Sequence, residues 1–179
     1  MSKSNLRLVL MSCCAPCSCG AIAECALNAD LDDFIVLFYN PNIFPESEYQ
    51  KRLVEQIKFC ESIGVKYAIG DWTHDKWLSC VRRLENEPER GRRCAECFRH
   101  RFAFGAKWAA KHGYNTITSV FGISRHKSQK QVDEAAREIT GPVVYLPVDW
   151  NKQIRQKIIE NAGFYHQNYC GCEWSVRAV

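Results

Sequence analysis

No run of about 18 apolar residues occurs anywhere in the chain, so no stretch is long enough to cross a membrane as a helix. The opening "MSKSNLRLVLMSC" lacks the longer apolar core and small-residue cleavage site of an export signal, and a cytoplasmic protein is expected. The five histidines, at 74, 100, 112, 126 and 166, supply no H-x3-5-H pair of the kind that completes many zinc sites. There is no internal repeat, low-complexity segment or linker. The 179 residues are therefore read as one domain, 1–179.

What the chain has in excess is sulfur. Eleven cysteines in a reducing compartment point to metal binding or redox chemistry rather than structural disulfides. Cys25, Cys60 and Cys80 fall on apolar helix stripes and are expected to pack as small hydrophobes. The others cluster: Cys13, Cys14, Cys17 and Cys19 in "SCCAPCSC", Cys94 and Cys97 in "RCAEC", and Cys170 and Cys172 in "YCGC". A C-x2-C opening a helix puts both sulfurs on one face. Helix amides and Arg92, Arg93 and Arg101 should lower their pKa. The vicinal pair needs a turn, which Pro16 would help form, to serve one centre. The C-x-C pair suits either a strained, easily reduced disulfide or metal ligation. Zinc and iron–sulfur both fit this chemistry, although six or more thiolates exceed what a single zinc needs.

Hydrophobic periodicity gives strands at 6–12, 33–40, 65–70, 115–121 and 143–148. They alternate with helices at 18–27, from 46 to Gly64, about 74–84, 93–112, 127–139 and 151–162. That alternation indicates an α/β fold with a mainly parallel, doubly wound, five-stranded sheet. In a strand order 3-2-1-4-5, the "CCAPC" loop and the segment "FGISRHK" would meet at the switch point, where such sheets place their sites. The tail "FYHQNYCGCEWS" has no clear period, but its aromatics should dock it.

Net charge is only +4, yet residues 82–101 hold seven arginines against four glutamates. The segment reads as either a salt-bridged face or a phosphate-binding patch.

Taken in order, "CCAPC", "YNPNIFPESEYQKR", "RCAECFRHR" and "YCGCEWS" resemble the QueH family of epoxyqueuosine reductases over nearly the whole chain. The resemblance implies a nucleotide-hydrolase-like (HUP-like) fold with the Cys-rich tail docked at the site. It also implies cobalamin-independent reduction of the epoxide of epoxyqueuosine, in the tRNA anticodon loop, to queuosine. The implied cofactors are a [4Fe-4S] cluster and a second, mononuclear iron, recharged by an external electron donor. Carried over by position, Cys13, Cys14, Cys94 and Cys97 would hold the cluster. Cys17, an Asp in some relatives, would complete the second iron site, and Cys170 and Cys172 would be a redox-active pair or, when reduced, metal ligands. Cys19 lies outside the motif.

In that context Arg92, Arg93, Arg99 and Arg101 are expected to contact tRNA phosphates, with Lys127 also at the substrate. His126, Lys127, Tyr169 and Glu173 are the candidate proton donors, with His126 expected on a surface loop. The turn Ser124–Lys127 departs from the "SPYK"-like pattern of many relatives. Two rivals are an ATP-dependent tRNA thiolation-type enzyme, which needs a Gly/Ser-rich loop where "CCAPC" stands, and a non-catalytic zinc-stabilised RNA-binding module. A third is a thiol–disulfide oxidoreductase using "YCGC" alone.

Overall fold

The computed structural model describes residues 5–139 and 141–176; the first four residues of the opening segment lie outside these. Five strands, β1 (Arg7–Ser12), β2 (Asp33–Phe38), β3 (Tyr67–Ile69), β4 (Thr116–Ser119) and β5 (Val144–Tyr145), form one parallel sheet in the order β3-β2-β1-β4-β5. The expected order and fold class are found. β1 is central, and Leu8 to Ser12 are fully buried, as befits a parallel strand covered on both faces.

The helices are α1 (Ala15–Leu27), α2 (Glu46–Ser62), α3 (His74–Cys80), α4 (Arg92–Lys111), α5 (Gln129–Arg137) and α6 (Lys152–Ala162). Right-handed crossovers carry the chain leftward from β1 through β3 and rightward from β4 to β5. The helices that follow β1 and β4 therefore cover opposite faces. α1 packs on α6, and α4 packs on α5.

The α1–α6 seam depends on Gly20, where an added Cβ would lie 2.7 Å from the Arg155 Cβ and 2.9 Å from its Cα. Because the nearest obstacles belong to the backbone end of Arg155, Gly20→Ala should cost about 1–3 kcal/mol through overpacking. Urea unfolding of the variant measures that loss.

Strand ends are shorter than the sequence pattern indicated. β5 keeps only two residues; Leu146 N–H still donates to Ile117 O (2.9 Å), and 147–148 run on as irregular chain. The tail is ordered by docking: Phe44 N–H donates to Gly171 O (2.8 Å), Tyr169 Oη–H to Phe44 O (2.8 Å), and Arg52 Nη1 to Cys170 O (3.1 Å).

Candidate metal centre

β1 delivers the chain to Cys13, and Cys14, in extended conformation, caps α1 with Pro16 in the first helical positions. The helix begins three residues earlier than periodicity indicated, because Pro16 fits where no amide partner is needed. This start brings Cys17 back toward the vicinal pair. The Cys13 and Cys14 sulfurs are 4.0 Å apart, and those of Cys13, Cys14 and Cys17 all lie within 4.8 Å of one another. Thiolates sharing one tetrahedral ion at ~2.3 Å stand ~3.8 Å apart, so this is the spacing of a single-ion site.

The three buried thiols do not ionise alike. Hydrogen bonds from Cys14 and Cys17, with help from Lys127 and Arg101, hold Cys13 well below the ordinary thiol range. The same hydrogen bonds to Cys13 push Cys14 and Cys17 up. A metal cation bound by the trio would displace the protons that these hydrogen bonds share among the three sulfurs. Burial alone would lower the Lys127 pKa, but Cys13, Cys170 and Cys17 raise it, so the ammonium stays charged.

A second sulfur group lies alongside. Cys94 and Cys97, in the first turns of α4, line a narrow cavity with Cys170 and Cys172 of the tail, below Trp77 and Arg101. No three of these four sulfurs meet the 4.8 Å spacing of the trio. An iron–sulfur cube places each thiolate on a different iron, so it needs its ligands farther apart than one ion does. The two cavities share Cys170 and Lys127 in their walls.

Gly171 holds the C-x-C open with φ at +125°. A Cβ there would also meet Ile43 at 3.0 Å and Arg52 Nη1 at 3.2 Å. All eleven cysteines are free thiols.

The expected lowering of Cys94 and Cys97 does not occur. Burial outweighs the nearby arginines and pushes both up to about 11, and Cys172 likewise. These thiols need a cation closer than Arg93 or Arg101 to become ligands. The surroundings are prepared for anionic sulfur: Arg52 Nη2, Arg93 Nε, Arg101 Nη1 and Trp77 Nε1 are buried donors with no partner within the protein. Native interiors leave few such groups, and here they gather around the two sulfur groups. The donor set fits a thiolate-held iron–sulfur group.

The arginines are placed differently from the expected phosphate patch. Arg93 is buried, donating to the carbonyls of Leu84, Glu85 and Glu87 (3.2, 2.9 and 2.5 Å) and covering the Trp174 ring. Arg101 is fully buried, donating to Tyr39 O (3.3 Å) and to Asn40 Oδ1, with its guanidinium 3.6 Å from the Phe121 ring centre. Arg99 is paired with Glu96 and Glu138, both at 2.7 Å. Arg92 alone of the four projects freely, with Glu87 4.0 Å away. Stacking on α4 at every third or fourth position turned Arg93 and Arg101 inward, where they wall the site.

Other expectations change too. His126 is buried in the wall of the cavity above the cysteine trio, with Nδ1 3.4 Å from Glu89 Oε1 and Nε2 unpaired. Glu173 lies 3.4 Å from His74. Cys25 and Cys60 pack in the core, but Cys80 is exposed at the end of α3, 3.1 Å from His100 Nδ1. Cys19 faces α6, 3.9 Å from Arg155 O, and packs with Ala15 and Phe164.

Sequence reasoning passed over Arg52, which bridges Glu48 (2.7 Å) to the tail and lines the cavity. The i,i+4 pair inside "PESEYQKR" was the available signal.

A doubly wound parallel α/β sheet with two abutting groups of thiols at its switch point defines an α/β protein with a candidate thiolate metal centre. The family model described as "Epoxyqueuosine reductase QueH" matches residues 8–178, and the chain belongs to that family. It is 41% identical to the "Epoxyqueuosine reductase QueH" of Histophilus somni over 178 residues, covering 96% of this chain and 72% of that protein. It is 40% identical to the Haemophilus influenzae protein of the same name, with the same coverage. The Thermotoga maritima relative is 28% identical over 175 residues, covering 92% of this chain and 87% of that one. Among solved structures, the U34-tRNA thiolase NcsA from Methanococcus maripaludis with its [4Fe-4S] cluster superposes with a TM-score of 0.58 at 12% identity. That match covers 98% of this chain and 62% of the thiolase, and it shows a shared fold.

Proposed function

We propose that this protein reduces the epoxide of epoxyqueuosine in the tRNA anticodon loop to the alkene of queuosine. Cys94, Cys97, Cys170 and Cys172 hold a [4Fe-4S] cluster, and Cys13, Cys14 and Cys17 hold a neighbouring iron. The observation that carries this reading is the pair of adjoining sulfur groups, one at single-ion spacing and one wider, sharing Cys170 and Lys127 as a common wall. This division of the thiols is offered in place of the quartet Cys13, Cys14, Cys94 and Cys97 expected by position, and its support is the closeness of Cys17 to Cys13 and Cys14 and the cavity that Cys94 and Cys97 line with the tail.

Loss of the epoxide oxygen as water consumes two electrons and two protons, the electrons coming from an external one-electron donor. When bound, the metal centres supply Lewis acidity for the C–O bond and single-electron delivery.

The chain's own residues do the rest. The cavity over the trio, about 290 Å³, is lined by Arg52, Arg125, His126, Lys127, Arg155 and His166, a cationic wall suited to a nucleotide of RNA. Lys127 keeps its positive charge beside Cys13 and offers a proton to oxygen released there. His126, held through Nδ1 by Glu89 in the wall of the same cavity and with Nε2 unpaired, serves as the second donor. "CCAPC" fills the place of a Gly/Ser-rich pyrophosphate loop with buried thiols, which leaves no seat there for ATP.

Cells lacking this protein should accumulate epoxyqueuosine in place of queuosine, read by mass spectrometry of tRNA nucleosides. The wild-type gene should restore queuosine, and purified His126→Gln should turn over about 10²-fold more slowly. Normal queuosine in the deletion strain, with no second enzyme for this step, would refute the assignment.

A further inference from the structure

We propose that Trp77 sets the reduction potential of the iron–sulfur site through Cys97, its indole N–H donating to that sulfur once the sulfur carries metal. The inference rests on the assignment of Cys97 as a cluster ligand.

Trp77 is 1% exposed and lines the cavity that holds Cys94, Cys97, Cys170 and Cys172. It packs in a small apolar cluster with Val81, Cys97 and Cys172. An indole can only donate, and this N–H has no partner within the protein.

The ring cannot turn away. His74 stacks on it at 5.5 Å and 24°, and Trp174 leans on it at 5.7 Å and 34°. His74 is itself fixed by Pro41 O at 2.7 Å, and Arg93 covers Trp174. A phenylalanine would fill this slot as an apolar wall. What the indole adds is a buried, unpartnered donor on a side chain packed among the sulfurs. A hydrogen bond to a ligating thiolate withdraws negative charge and eases the one-electron reduction by the external donor, raising the potential.

Trp77→Phe keeps the stack and deletes the N–H. In anaerobic holoprotein with unchanged iron and sulfide content, a dye-mediated titration should show the one-electron equilibrium shifted about tenfold toward the oxidised state, or about 59 mV more negative. An unchanged midpoint overturns the role. If the variant assembles no cluster, reduced wild-type protein carrying ¹⁵N-indole tryptophan gives the reading by pulsed EPR. A ¹⁵N coupling that persists in Trp174→Phe supports the contact with Trp77, and its absence overturns it. Wild-type protein that binds no iron and sulfide would instead bring down the ligand assignment itself, a result distinct from an unmoved potential.

Discussion

Cys97→Ser protein purified without oxygen should come out colourless and inactive, whereas Cys13→Ser should keep its brown colour and lose turnover by about 10³-fold or more. The contrast follows from the two sulfur groups. Cys97 belongs to the wide group, so on the proposed assignment its removal should cost the broad visible absorption and the bound sulfide. Cys13 belongs to the close trio, so on the proposed division its removal should disable the single-ion site while the neighbouring cluster survives. A Lewis acid is worth several kcal/mol of barrier, which sets the scale of the loss. Visible spectra, iron and sulfide analysis and turnover together decide it. If both variants lose colour equally, the division of ligands is wrong.

Arg52→Met should destabilise the fold by about 3–5 kcal/mol, the usual cost of stripping one partner from a buried ion pair. Arg52 and Glu48 are 2% and 6% exposed, so the remaining carboxylate could not reach water. The guanidinium also donates to Cys170 O and lies 5.1 Å from the Tyr169 ring centre, while Tyr165 Oη–H donates to Glu48 Oε2 at 3.1 Å. Loss of Arg52 therefore loosens the tail as well as the helix. Chemical denaturation measures the first effect, and faster proteolysis near residues 165–172 reports the second. Full retention of stability would mean that Glu48 is relieved some other way.

Much of this was legible in the sequence, because strand and helix periods are local properties. β1, β2 and the long helices α2 and α4 fell where periodicity put them, and the strand order is the 3-2-1-4-5 expected of a doubly wound sheet with its switch point at β1. The cysteine groups were visible as spacings. Their grouping in space was not, because it depends on where α1 begins and on how an aperiodic tail docks. The arginines misled for a related reason: charge pattern does not say which side of α4 faces in, and Arg93 and Arg101 found carbonyls and rings to satisfy them inside. Cys80 sat on an apolar pattern, but α3 ends at that residue, leaving it exposed.

The docked tail has a consequence for biogenesis. Cys170 and Cys172 leave the ribosome after every strand of the sheet, so the wide sulfur group stays half-built until the tail has followed the sheet out. On the proposed ligand set, metal delivery waits for the tail to emerge, and a nascent chain stalled after β5 would present an almost finished scaffold unable to keep its inorganic cargo.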